Sequence, residues 1–344
     1  MICPHCAESL LYRERGKGSR TCSKCRRKFA LEPKSNPLRL HDLRLGRVAG
    51  ALSAGGTLSY TQTQLWYAVS RRYLRGKDNR VPVGCLVAPT SFAAIALLLY
   101  VMVNVPSLPP LLVAIPAFGV IMVLVFVPIR LPTLKPPMSE RSFRSALKEW
   151  QKIYGRPPVG LLPLDGALPP GAAPAAAPTA ALLCADRDAV TCLRANGVER
   201  RLGLWIVTDP AALAAVPPAL PVFVLRDASI PGERLLAAAR AWPGRRVVDL
   251  GVTVPAARKA PSAMRLRSVG KVDRNALAEL RAAPGALTEV DLRWIGTGWW
   301  SPLAALPPGR LIALLADGVD RLAADGDQDR AAARAVGFLS WPAA

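Results

Sequence analysis

The sequence predicts a multidomain chain: a small cysteine-centred β module, a two-helix transmembrane hairpin and a C-terminal α/β domain. Three observations predict it. Two Cys-x-x-Cys pairs stand within the first 25 residues, at Cys3 and Cys6 and at Cys22 and Cys25. The 49 residues from Val81 to Ile129 contain no Asp, Glu, Lys or Arg. From Ala180 onward, short apolar runs of strand length alternate with segments of helical period, the pattern of a parallel sheet covered on both faces.

The first 33 residues come first. Cys3-Pro4-His5-Cys6 and Cys22-Ser23-Lys24-Cys25 are separated by a segment that suits two short strands, Leu10-Leu11-Tyr12 out and Arg20-Thr21 back, turning at Gly16-Lys17-Gly18. Arg27–Leu31 reads as a third strand. A module of this size buries too little core to fold unaided, and metal ligation is the usual remedy. Two disulfides are the alternative use of the same four thiols. His5 is expected to be a solvated residue of the first knuckle. Tyr12 and Phe29 are expected in the small core. The spacing resembles the zinc-ribbon family over about a tenth of the chain. That resemblance implies a structural Zn²⁺ held by Cys3, Cys6, Cys22 and Cys25, with every coordination place filled and none open for catalysis.

Residues 38–80 read as two basic helices beside a membrane. Leu40, Leu43, Val48 and Leu52 give the first its apolar face, and Leu65, Trp66, Val69 and Tyr73 the second. Residues 83–105 and 111–129 are each about the length that crosses a hydrocarbon core of about 30 Å, and are expected as transmembrane helices. Residues 1–80 carry 17 Lys and Arg against 5 Asp and Glu, and residues 130–156 carry 7 against 2. Positive charge on both flanks, with none at Asn104–Pro110, predicts a double-pass cell-membrane protein with both termini cytoplasmic. It also predicts contact with the bilayer, anionic lipid included. A hairpin with no ionisable group suits an anchor better than a transport path. The expected cytoplasmic side in turn favours zinc over disulfides.

Residues 139–155 predict an amphipathic helix, with Phe143, Leu147 and Trp150 on one stripe, lying on the inner leaflet or on the following domain. Residues 156–179 are rich in Pro and Ala and read as a linker. Residues 180–344 predict a Rossmann-like three-layer domain. Its strand candidates are Ala181–Cys184, Leu204–Val207, Pro221–Leu225 and Arg246–Leu250. Chemistry in such folds sits at the carboxyl ends of the strands, which offer Asp186, Asp188 and Asp227 as candidate ligand-binding residues. The segment Asp227–Glu233 faintly resembles the acidic loop of Toprim domains. That resemblance implies a Mg²⁺ site, but Ser229 stands where a second aspartate is expected, and Cys184 and Ala185 where a glutamate is expected. The likeness therefore implies a degenerate Toprim-like scaffold. Trp294, Trp299 and Trp300 are expected to close the core.

Phosphate-binding glycine loops and the Gly-x-Ser-x-Gly elbow are absent. The two histidines, His5 and His41, lie outside the C-terminal domain, which excludes a Ser–His or Cys–His pair within it. The function expected is a membrane-anchored, non-enzymatic scaffold or recruiter with an unidentified protein partner. One alternative is a Mg²⁺-dependent enzyme or nucleotide sensor in the α/β domain. The other is nucleic-acid binding through the basic ribbon, whose Arg20, Lys24, Arg26, Arg27 and Lys28 supply the charge for a net +21 chain.

Overall fold

The structure is a computed structural model that describes residues 1–12, 20–74, 136–164, 177–268, 272–282 and 287–326. The described residues form one compact unit.

The sheet is built from β1 (Ala180–Leu183), β2 (Leu204–Val207), β3 (Val222–Val224) and β4 (Val247–Asp249), all parallel, in the order β2-β1-β3-β4. Its strands are apolar throughout because both faces are covered. Leu182, Phe223 and Ile206 face α4 (Arg187–Ala195), α5 (Val198–Leu202) and α10 (Pro308–Gly326) through Val190, Leu193, Val198, Leu311 and Leu315. Alternate residues Ala181, Leu183, Val222 and Val224 face a 3-10 turn at Pro210–Ala215 and α6 (Ile230–Arg240) through Leu213, Leu236 and Ala239. The period of two along each strand thus sorts side chains into two cores, and the domain is a Rossmann-like α/β fold. Smaller elements follow: α7 (Val254–Lys259), β5 (Leu266–Arg267), α8 (Arg274–Ala282), α9 (Glu289–Gly296) and β6 (Trp299–Trp300), with β5 and β6 antiparallel.

The N-terminal part has its own core. Helices α1 (Asp42–Leu52), α2 (Gln62–Leu74) and α3 (Glu140–Tyr154) bury Leu45, Ala49, Leu65, Val69, Phe143 and Leu147 together with Leu31, Leu38 and Leu40. The apolar stripe of α3 is therefore covered by α1 and α2 and faces protein rather than a leaflet. Helix α2 also docks on the α/β domain. Arg71 donates to Ser262 O at 2.6 Å, Gln64 to Leu306 O at 3.3 Å, and Tyr67 packs on Met264, Leu266 and Ala304. Just ahead of α2, Ser59 and Asn196 exchange two hydrogen bonds of 2.9 and 2.8 Å.

Two expectations are corrected. Among the described residues no helix is long and apolar enough to cross a membrane. The hairpin expected over 83–105 and 111–129 lies outside the described residues. Among the described residues the fold class is therefore a cysteine module, a helical layer and an α/β sheet domain without a transmembrane hairpin, which corrects the expected fold class and the expected double-pass cell-membrane localisation. A charge-free run has the composition a span needs, but composition alone does not establish a helix. The basic flanks that suggested orientation are also partly engaged within the fold. Arg44 donates to Leu38 O and Val69 O, both at 3.1 Å, and Arg144 to Gln62 Oε1 at 2.9 Å.

Candidate metal centre

The two Cys-x-x-Cys pairs fold into matching knuckles. Ile2 bridges Ser9 and Thr21 bridges Lys28, both antiparallel, so each pair sits in a tight hairpin. The N–H of His5 points to Cys3 Sγ and that of Cys25 to Cys22 Sγ, each at 3.4 Å. Ala7 N–H bonds Cys3 O and Arg26 N–H bonds Cys22 O, which closes each knuckle. That closure puts Ala7 and Arg26 at φ 59° and 60°, a region most side chains avoid. Two equivalent strained turns are the local cost of turning four sulfurs inward.

The four Sγ atoms lie within 4.8 Å of one another, and the cysteines are free rather than disulfide-bonded. Cys3–Cys25 and Cys6–Cys22 are each 3.8 Å apart. A tetrahedron with metal–sulfur bonds of about 2.3 Å has an edge of about 3.8 Å, so the donor set fits a tetrahedral thiolate-bound ion. Cys3 and Cys22 are buried, and Cys6 and Cys25 half-buried. Burial raises the Cys22 thiol, but backbone N–H groups of Cys25 and Lys24 and the neighbouring thiols bring it down to about 7. At Cys6 a lowering bond from the Glu8 backbone is outweighed by burial and by hydrogen bonds with the other three thiols, leaving it at about 12.

The module is tied to the helical layer by a polar contact that no local pattern signals. Asp42, 2% exposed at the start of α1, accepts hydrogen bonds from Ala30 N–H at 2.7 Å and Leu31 N–H at 2.8 Å. Tyr154, at the end of α3, donates its hydroxyl to the same carboxylate. His5 stacks on the Tyr154 ring at 5.6 Å, with its Nε2 2.8 Å from Lys28 O. His5 is thus a packing residue of the junction rather than a solvated one. Tyr12 is corrected in the other direction, being 42% exposed with Lys34 over its ring, while Phe29 is fully buried. Burial raises the Asp42 carboxyl above its ordinary range, against the lowering effect of the Tyr154, Ala30 and Leu31 donors.

Replacing Asp42 by Ala would leave two buried N–H groups and a half-buried hydroxyl without an acceptor. At about 1–3 kcal/mol for each of the three unsatisfied groups, the expected loss is at least about 3 kcal/mol. Urea unfolding of the full chain checks this, and a loss below about 1 kcal/mol would show that water satisfies all three donors.

The acidic residues of the α/β domain are placed as follows. Asp186 caps α4, accepting from Ala189 N–H at 2.9 Å, and Asp188 lies in the first turn of the same helix. Asp227 accepts from Ser229 Oγ at 2.8 Å, and Ser229 caps α6 by accepting from Gly232 N–H at 3.1 Å. Ser229 is therefore a helix cap at the position where the acidic-loop likeness needed an aspartate. A side chain at residue 232 would clash with the Asp227 carbonyl and Oδ1, so only glycine lets the end of β3 approach α6 this closely. Among the described residues, the four cysteines are the group of His, Cys, Asp or Glu side chains gathered closely enough to hold an ion. Asp186, Asp188 and Asp227 are not drawn into such a group. Cys184 and Cys192 are buried thiols, both raised chiefly by burial, Cys192 to about 11.

No family model, no curated protein and no solved structure matches this chain. Function is therefore read from the chain's own geometry.

Proposed function

We propose that Cys3, Cys6, Cys22 and Cys25 hold one structural Zn²⁺ in a zinc-ribbon-like module, and that the chain is a non-enzymatic scaffold or recruiter. The observation that carries this reading is the Asp42 junction. The cysteine module is bonded at Ala30 and Leu31 to the helical layer, which in turn docks on the α/β domain through α2. A metal in the module then fixes a surface made from several parts of the chain, as a recruiter requires. Four thiols, 3.8 Å tetrahedral edges and no open coordination place suit zinc in a structural role.

The basic rim gives less support to nucleic-acid binding. Arg20 donates to Ala30 O at 2.8 Å and Lys24 pairs with Glu8 at 2.9 Å, so two of its five cations serve the module itself. The Mg²⁺-dependent reading is likewise weaker, because its three aspartates do not gather.

Elemental analysis of reduced, dialysed full-length protein is expected to give one zinc per chain. Cross-linking in the native cell is then expected to yield a defined protein partner that is lost in Cys22→Ser. Protein free of zinc overturns the metal assignment. Mg²⁺-dependent turnover of nucleotide by the wild type, unaffected by Cys22→Ser, overturns the non-enzymatic role.

A further inference from the structure

The four clustered cysteines fall into two pairs that cross between the knuckles. Cys3 Sγ lies 3.8 Å from Cys25 Sγ, and Cys6 Sγ lies 3.8 Å from Cys22 Sγ. Each pair takes one sulfur from each knuckle, and no cysteine is used twice. Each pair also joins unlike partners. Cys6 and Cys25 are half-buried and can meet a solute, whereas Cys3 and Cys22 are buried. A reachable sulfur beside a second one in closing distance is the arrangement of an attacking and a resolving thiol. A disulfide bond is about 2.0 Å long, so each pair has to close by less than about 2 Å. The α/β domain offers a contrast. Cys184 and Cys192 are fully buried and present no surface to a solute.

The junction carries the state of the cluster beyond the module. His5, between Cys3 and Cys6, stacks on Tyr154, and Tyr154 donates to Asp42. Asp42 also holds the N–H groups of Ala30 and Leu31. A rearrangement of the first knuckle therefore meets α1 and α3 through contacts already made.

We propose that this cluster is a redox switch: hydrogen peroxide, a two-electron oxidant, converts the four thiolates into the disulfides Cys3–Cys25 and Cys6–Cys22, and the metal is released. The inference rests on the structural-zinc reading above. The thiolate is the nucleophile in such chemistry, and a metal-bound cysteine is already deprotonated. Cys6 Sγ attacks one peroxide oxygen, the O–O bond breaks, and the departing hydroxide takes a proton to become water. Cys6 then carries a sulfenic acid. Cys22 Sγ attacks the Cys6 sulfur, the S–O bond breaks, and a second hydroxide leaves as water. The pair has given two electrons to one peroxide. Cys25 and Cys3 repeat the sequence with a second peroxide. Disulfide sulfurs are not thiolate donors, so the metal loses its ligands. A thiol reductant reverses the change by exchange.

The test uses the full-length protein with Cys85→Ser, which removes a cysteine that lies outside the cluster. Bound zinc is measured first. Hydrogen peroxide is then added in stoichiometric steps, a chromogenic chelator reads released zinc, and mass spectrometry of alkylated peptides reads each cysteine. Zinc is expected to leave in step with the loss of four thiols, two peroxides being consumed for each zinc. The joined peptides should be Cys3–Cys25 and Cys6–Cys22, with Cys184 and Cys192 still reduced. Amide exchange at Ala30 and Leu31 should quicken, and dithiothreitol with added zinc should restore the starting state. Cys25→His keeps a three-cysteine, one-histidine ligand set of the kind that holds structural zinc. It should form Cys6–Cys22 alone and leave Cys3 reduced. Four results overturn the proposal: zinc and all four thiols retained in peroxide that fully oxidises free cysteine in the same solution; disulfides formed within the knuckles, as Cys3–Cys6 and Cys22–Cys25; sulfinic acids that the reductant does not reverse; or unchanged exchange at Ala30 and Leu31 in the oxidised form. Protein that holds no zinc from the start overturns the metal assignment instead, and the mapped disulfides then decide whether the thiols pair as proposed.

Discussion

Chelating the proposed zinc from the full-length protein, or replacing Cys22 by Ser, is expected to unfold the first 33 residues and leave the parallel sheet folded. The module's local order is almost entirely arranged around sulfur. Its buried residues Cys3, Leu10 and Cys22 cluster with Met1, Cys6 and Cys25, and the ligands are themselves the core. Structural zinc in small modules has an apparent binding free energy of about 10–16 kcal/mol near neutral pH, far more than a core of this size supplies. The knuckles also hold Ala7 and Arg26 at positive φ, a strain that bonds from the sulfurs to a metal would offset. Hydrogen exchange reads the outcome. The N–H groups of Ala7, Leu10 and Arg26, which bond Cys3 O, Met1 O and Cys22 O, should lose protection. Those of Ala30 and Leu31 should lose it partly, because their acceptor Asp42 belongs to α1 and survives. The β1–β3 amides should be unchanged. Full protection of the knuckle amides after chelation would mean that the four sulfurs cluster without a metal.

How much of this was legible in the sequence follows from how local each signal is. The four-cysteine cluster was, because Cys-x-x-Cys brings two thiols to one turn by spacing alone and a second copy supplies the other two. The parallel sheet was, because strands buried on both faces read as unbroken apolar runs, and Ala180–Leu183 and Leu204–Val207 are such runs. The membrane reading went wrong where composition stood in for structure. Charge at Arg44, Arg71 and Arg144 looked like a juxtamembrane flank, yet these side chains bond backbone and amide groups inside the fold. The junction was invisible for a different reason. An acid at the first position of a helix is ordinary dipole chemistry, and nothing near Asp42 announces partners 12 and 112 residues away. The wall of Trp299 and Trp300 beside Asp227 is likewise a product of chain return. It forms only once β6 pairs with β5 and Ser301 pairs with Ala228.

Arg226→Met is expected to destabilise the α/β domain by about 3–5 kcal/mol, the usual cost of stranding buried partners of a charge. Arg226 follows β3, Glu233 lies in α6 and Asp249 ends β4, so one guanidinium joins three elements at the carboxyl edge of the sheet. Glycine at 251 leaves room for its stem, since a side chain there would meet Arg226 Cγ and its backbone. Methionine keeps much of the stem's packing, so the loss measured is mainly electrostatic. Burial already raises the Glu233 carboxyl, opposed by Arg226. Without the arginine it rises further, so the folded state binds a proton that the unfolded state does not. The penalty is then fully present above the raised folded-state pKa, shrinks as pH falls through it, and is gone below the ordinary glutamate pKa of about 4.3. Urea unfolding at neutral and acid pH checks both size and sign, and a penalty that grows toward acid would place the stranded charge elsewhere. The triple variant Arg226→Met, Glu233→Gln, Asp249→Asn should recover most of the stability, because neutral partners no longer need a cation.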